Sequence, residues 1–213
     1  MKVMTERQYE RRERILATAR KLVTEKGYDG LKMRELAEVS GVTTKTLYHQ
    51  FGSKEKLIFI AVEERYRHIY QAIDDAVIDK GIDRLYYIIE TVAKVTRNNI
   101  AYARGLATIL STKDSVFTSI RMGTYRKAID QIQAEGDFVN WVDHDLLNRI
   151  IYRQVNPLYT PWWYDEFSLT NTVNIAKLDI SMVLRSVTEG YTFEKTTETI
   201  KKLMKEMKGF TDF

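Results

Sequence analysis

Thr43, Thr44, Lys45, Thr46 and Tyr48 place four hydroxyls and one ammonium group within six positions. On a helix they share an outward face, while Leu47 turns inward. Hydroxyls both donate and accept hydrogen bonds, and lysine donates with a charge, so the set suits base edges and phosphate oxygens. Other chemistry is sparsely represented. The chain has no cysteine, which removes thiolate metal sites, disulfides and cysteine nucleophiles. It has three histidines: His49, His68 and His144. His49 falls beside the hydroxyl cluster, and His68 stands among Arg65, Arg67 and Tyr70 on what reads as a solvated face. Asp143, His144 and Asp145 have metal-ligand chemistry, but three consecutive residues at a helix start cannot converge on one ion. Their carboxylates are better placed to meet the positive end of that helix. No glycine-rich phosphate loop, nucleophile elbow or paired-histidine motif occurs, so the expectation is no enzyme, no cofactor and no metal.

The elements that must hold the hydroxyl cluster follow from periodicity. Ile15, Leu16, Ala19, Leu22 and Val23 recur at three- and four-residue spacing, predicting a helix from about Tyr9 to Lys26, ended by Gly27. Met33–Ser40 predicts a short second helix, Gly41 breaks it, and Thr43 is placed to cap a third running to Phe51. Ser53 is placed to cap a fourth. Two short helices joined by a glycine turn form a helix-turn-helix, with Ala37 small at the crossing and Leu36, Val42 and Leu47 facing into it. Spacing alone also fits an ordinary helical hairpin in a core. Charge leans toward nucleic acid: residues 1–56 hold 13 Lys/Arg against 8 Asp/Glu, whereas the remainder holds 20 against 21.

The stretch GYDGLKMRELAEVSGVTTKTLYHQFGSKEKL resembles the N-terminal signature of the TetR family of bacterial transcriptional regulators. The match runs from about Arg14 to Val62. It includes the glycine and aromatic after the first helix, Arg34–Glu35–Leu36–Ala37, Gly41–Val42, Leu47–Tyr48, Phe51 and Ser53–Lys54–Glu55 with Leu57. The resemblance implies an all-α fold: an N-terminal three-helix DNA-binding domain, here 1–56, and a larger helical ligand-binding and dimerisation domain, here 57–213. It implies that Thr43, Thr44, Lys45 and Thr46 face the major groove, that Tyr48 and His49 contact phosphates, and that Lys54 reaches a phosphate from the start of the fourth helix. Two positions depart from the family pattern. Lys32 stands where a capping Thr or Ser is usual, losing a cap but gaining a cation for phosphate, and Gln50 stands where histidine is frequent.

Beyond the fourth helix, expected over 54–78, helical patterns cover about 84–97, 98–111, 115–135, 143–156, 169–189 and 192–208. Pro157 and Pro161 fall in the break before 169. In the resembled family, late helices pair across a homodimer, here expected at about 143–156 and 169–189, and a dimer reads a palindromic DNA operator. Aromatic residues are dense between 84 and 167. Tyr86, Tyr102, Met122, Tyr125, Tyr152, Trp162 and Trp163 are candidates to line a pocket for a small hydrophobic, aromatic or acyl effector, though the same residues also suit plain core packing. The order Asn156–Pro157–Leu158–Tyr159, Trp-Trp-Tyr, then helix is similar to family members controlling fatty-acid, steroid or aromatic-acid catabolism, several of which respond to acyl-coenzyme A. No run reaches membrane-spanning length and residues 1–30 lack a signal-peptide core, so the expectation is a cytoplasmic protein with no membrane partner. Two other readings remain: a constitutive regulator with a filled core, and a helical enzyme or small-molecule-binding protein whose helix-turn-helix is incidental.

Overall fold

The computed structural model describes residues 5–101, 103–104, 116–160 and 163–208. Their architecture is all-α. In chain order the helices are α1 (Glu6–Gly30), α2 (Met33–Val39), α3 (Thr44–Phe51), α4 (Lys54–Asp74), α5 (Gly81–Asn98), α6 (Val116–Ala134), α7 (His144–Val155), α8 (Trp163–Glu166), α9 (Leu169–Arg185) and α10 (Gly190–Glu206), with a 3-10 turn at Asn156–Tyr159. Among the described residues, extended pairing is confined to one bridge, Phe138 with Thr188. No helix among them is long and apolar enough to cross a membrane.

Side chains start these helices where the orphan backbone N–H groups need acceptors. Ser53 Oγ accepts from Lys56 N at 3.2 Å, and Ser168 Oγ accepts from Asn171 N at 3.1 Å. Asp143 Oδ1 accepts from both Asp145 N and Leu146 N at 2.9 Å, and these bonds hold its carboxyl below the ordinary range. Asp143 is therefore a helix cap, as its neighbourhood of acids suggested.

Several boundaries differ from the periodicity: α4 ends at Asp74 and not 78, α5 opens at Gly81 and not 84, and α9 ends at Arg185 and not 189. Gly27 leaves helical geometry, at φ 72° and ψ 175°, so the helix is broken where the sequence placed its end, and helical turns resume only as far as Gly30. That region is open essentially to glycine alone. Beyond Asp74, where α4 stops, two side chains hold the connecting chain. Arg84 Nη2 donates to Ala76 O at 3.2 Å, and Gln131 Nε2 donates to Ile78 O at 3.0 Å.

The chain divides into two compact units, Met1–Ile69 with Asn99–Phe117, and Tyr70–Asn98 with Thr118–Phe213. The first has its own core, built from Ile15, Leu16, Ala19 and Leu22 of α1, Leu36 of α2, Leu47 and Phe51 of α3, and Leu57, Ile58 and Ala61 of α4, closed by Phe117. Phe59 and Tyr66 pack their rings on Phe117 at 5.4 and 5.1 Å. The second unit buries Leu85, Ile88 and Ile89 of α5, Ile129 and Ile132 of α6, Ile151 of α7, and Ile180 and Leu184 of α9. Gly81 opens α5 where a Cβ would lie 2.7 Å from Ala128 O, so a side chain there would force the helices apart.

One long-range clasp fixes the start of α10. Buried Asp137 accepts from Thr192 N through Oδ2 at 2.7 Å, and its carbonyl accepts from Glu189 N, also at 2.7 Å. Gly190, at φ 61°, passes so close that an added Cβ would sit 2.4 Å from Asp137 Oδ1. A carboxylate here satisfies an orphan donor and faces the positive end of α10. Asp137→Ala is expected to lower stability by about 2 kcal/mol and Asp137→Asn by less, since the amide keeps an acceptor oxygen. Chemical denaturation followed by circular dichroism checks the order of the three proteins.

Candidate nucleic-acid interface

The α2–α3 turn is set by local geometry. Gly41 has φ 64°, Gly41 N donates to Glu38 O at 3.1 Å, and Val42 N donates to Ala37 O at 2.9 Å. Buried Ala37 and Leu36 lie against the turn, and Leu47 is fully buried on the inner side of α3. Arg14 of α1 clamps the same turn, with Nε donating to Ser40 O at 3.2 Å.

Thr43 caps α3. Its Oγ1 accepts from Thr46 N at 3.1 Å and lies 2.9 Å from Thr46 Oγ1. Two of the four clustered hydroxyls are thus bonded to each other. Between them one O–H is consumed and one remains to donate outward. Lys45, Tyr48 and His49 are exposed at helical spacings of three and four, so they share one solvent face of α3 with half-buried Thr44 beside them. Tyr48 is 48% exposed, with its hydroxyl free to reach a partner beside Lys45.

The remaining two predicted cations differ. Lys32 is exposed at the N-cap of α2, where its side chain makes no capping bond and its carbonyl accepts from Leu36 N at 3.0 Å. Lys54, at the first turn of α4, is half-buried, with Nζ 4.9 Å from the Tyr28 ring centre. Next to it Glu55 is held below the ordinary carboxylate range, first by a backbone N–H and then by Ser53. Tyr28 OH lies 3.5 Å from Glu55 Oε1. Burial foremost, with Glu55 second, pushes the Tyr28 phenol upward. The start of α4 therefore already holds an acid, and Lys54 is steered by an aromatic face. This trio was not singled out from sequence; Tyr28 was visible only as the aromatic after Gly27. Arg14 was likewise missed, because its acceptor is a backbone carbonyl 26 residues away.

The candidate effector residues fall in several places. Tyr102 and Trp162 lie outside the described residues. Buried Tyr86 bonds Ser181 Oγ through its hydroxyl at 2.6 Å, and burial raises its phenol. The Tyr86 ring is covered by Lys177 Nζ at 5.1 Å and lines a groove of about 390 Å³ between α5, α9 and α10. The groove is mostly charged, with Glu90 and Glu198 against Lys177, Lys195 and Lys202. Met122, Tyr125 and Tyr152 belong to the α6–α7 pairing. Tyr125 is fully buried, Asn148 Nδ2 donates to Met122 O at 3.2 Å, and Tyr152 carries the Arg121 guanidinium over its ring at 5.4 Å. Arg121 is only 4% exposed, and nothing in the sequence distinguished it from a surface arginine. Trp163 of α8 is half-buried and stacks on Phe167 at 4.7 Å. The α8 segment is tied down by Tyr164, whose hydroxyl donates to Leu158 O and whose carbonyl accepts from Arg97, both at 2.8 Å. Among the described residues no three His, Asp or Glu side chains gather as a metal would require.

A family model described as "Bacterial regulatory proteins, tetR family" matches residues 15–60. The HTH-type transcriptional repressor KstR of Mycolicibacterium smegmatis is 31% identical over 97 residues, covering 45% of this chain and 48% of that protein. The chain spans about half the length, or less, of the curated relatives it matches. A TetR-family transcriptional regulator from Pectobacterium atrosepticum superposes with a TM-score of 0.69 at 20% identity, covering 88% of this chain and 99% of that one. FadR from Bacillus subtilis, in complex with stearoyl-CoA, superposes with a TM-score of 0.61 at 16% identity, covering 79% and 97%.

The Thr43 cap generates a direct test. Thr43→Ala is expected to cost about 1 kcal/mol of stability, with Thr43→Ser close to wild type. Thermal unfolding of the three proteins at one pH measures this, and equal midpoints would show that the α3 start does not depend on the cap.

Proposed function

We propose that this chain is a member of the TetR family of bacterial regulatory proteins, as its similarity to them supports, and that it is a ligand-responsive repressor binding a palindromic DNA operator as a homodimer. The observation that carries this reading is the exposed Lys45–Tyr48–His49 face of α3, held outward by a glycine turn and a threonine cap. Residues 1–56 form the DNA-binding module and 57–213 the effector and dimerisation part. Thr43, Thr44, Lys45 and Thr46 meet base edges in the major groove, while Tyr48, His49, Lys32 and Lys54 hold phosphates. Their neighbours favour these roles unequally: Lys32 is exposed, whereas Lys54 must leave the Tyr28 face to reach an anion.

A homodimer formed through 143–156 and 169–189 places two recognition helices about one DNA turn apart. Leu146, Ile150 and Met182 are exposed apolar side chains on those helices, which supports a second copy as their cover. Tyr86, Tyr102, Met122, Tyr125, Tyr152, Trp162 and Trp163 receive the effector, an apolar, aromatic or acyl compound. The stearoyl-CoA held by a structural relative supports the acyl class. The effector must bind the non-DNA-binding arrangement more tightly, or it shifts nothing. Such a protein works in the cytoplasm, where DNA and acyl thioesters meet.

The test is selection from random duplex DNA, then affinity measurement on the enriched sequence with and without stearoyl-CoA. A palindrome is expected, with binding that weakens as salt rises and as the thioester is added. Lys45→Ala and Tyr48→Ala are each expected to weaken binding about tenfold or more while leaving the melting temperature near wild type. Failure of folded wild-type protein to enrich any sequence would sink the DNA-binding reading. Indifference to the thioester would sink only the acyl assignment.

A further inference from the structure

The first two turns of α1 extend beyond the core, which begins at Ile15. They carry charges in a fixed order: Glu6–Arg7, Glu10–Arg11 and Glu13–Arg14. Each sign therefore repeats at i, i+4 and i+7, which draws an acidic and a basic strip along adjacent sides of the helix. The direction of the basic strip is fixed by its last member. Arg14 Nε donates to Ser40 O, the carbonyl at the turn immediately before α3. Arg7 and Arg11 stand on the same side as Arg14, so they continue that side for about 10 Å past the turn.

The remaining arginine of this segment is committed elsewhere. Arg12 turns to the other side of α1, where Nη1 lies 2.5 Å from Glu64 and 3.6 Å from Glu13. Arg7 and Arg11 are exposed and, among the described residues, take part in no ion pair or hydrogen bond. Two free guanidinium groups on the side of α1 from which Arg14 reaches the α2–α3 turn have the charge of a phosphate clamp.

We propose that Arg7 and Arg11 form a second phosphate-binding strip that grips the DNA backbone flanking the bases read by α3. The strip rests on the DNA-binding reading above. Its occupant is duplex DNA, because the strip is basic, is kept apart from the acidic strip on the adjacent side, and lies on the side of α1 that meets the turn before α3. It anchors without reading sequence, since guanidinium contacts to backbone oxygens are alike at every base pair.

The experiment uses the full-length Arg7→Gln/Arg11→Gln variant, checked for helicity and melting temperature, on the selected palindrome across a salt series by fluorescence anisotropy. Loss of two phosphate contacts per protomer is expected to make the log affinity against log salt slope shallower by about 2 per protomer. The affinity ranking of operator variants is expected to stay unchanged. The Arg7→Lys/Arg11→Lys variant is expected to keep the wild-type slope, because charge and not shape is required. An unchanged slope in the Gln variant, while Lys45→Ala still loses binding, overturns the strip alone. A reordered ranking overturns the assignment to phosphates. Wild-type protein that binds no DNA overturns the underlying reading and the strip with it.

Discussion

Between α2 and α3 the chain reverses within four residues, and this is possible only through a positive φ that a side chain would resist. Gly41 supplies it at 64°. The turn leaves few carbonyls unsatisfied: Glu38 O and Ala37 O accept from Gly41 and Val42, and Ser40 O accepts from Arg14. Ala37 is small enough for the helices to close, and Leu36 and Leu47 fill the crossing completely. Once the turn is set, the rotation of α3 is set. Leu47 and Phe51 are pulled into the core, and Lys45, Tyr48 and His49 have nowhere to go but outward. The exposed chemistry is thus a consequence of burial on the opposite side.

The second unit has a different character. Its core is mostly aliphatic, yet Arg121, Thr124 and Asn148 are all buried along the α6–α7 pairing. Asn148 donates to Met122 O but its own Oδ1 is buried without a partner. A helical pair built only for stability does better with apolar residues at such positions, because each buried polar group must recover its desolvation cost. This polar seam runs beside Met122, Tyr125 and Tyr152, three of the residues assigned to the effector.

Features whose physics is local were legible in the sequence. Thr43, Ser53 and Asp143 cap helices because a short polar side chain finds an N–H two or three residues ahead. The all-helical fold followed from periodicity for the same reason. What escaped was long-range. The Asp137 clasp on Thr192, the Tyr86 bond to Ser181 and the Arg14 bond to Ser40 span 55, 95 and 26 residues. No spacing rule connects such partners. The same holds for the Gln131 bond to Ile78 O, which spans 53 residues and pins the chain after α4. The composition of the candidate interface was readable, but the internal bond between Thr43 and Thr46, which decides which hydroxyls face outward, was not.

That internal bond changes how the interface can discriminate. Threonine pairs loosely with several bases, and a hydroxyl already shared with its neighbour has one donor fewer to spend. With Thr43 and Thr46 partly committed, the proposed readout rests on Thr44, Lys45 and the single remaining donor. A set that small cannot distinguish a long site by itself. In the proposed homodimer, specificity then comes from repetition across two-fold symmetry and from holding each α3 at one register on the duplex. Register is what phosphate contacts supply. On the proposed reading, the excess of positive charge in residues 1–56 is therefore more than an aid to affinity: it sets the register of an α3 that carries few base-specific groups.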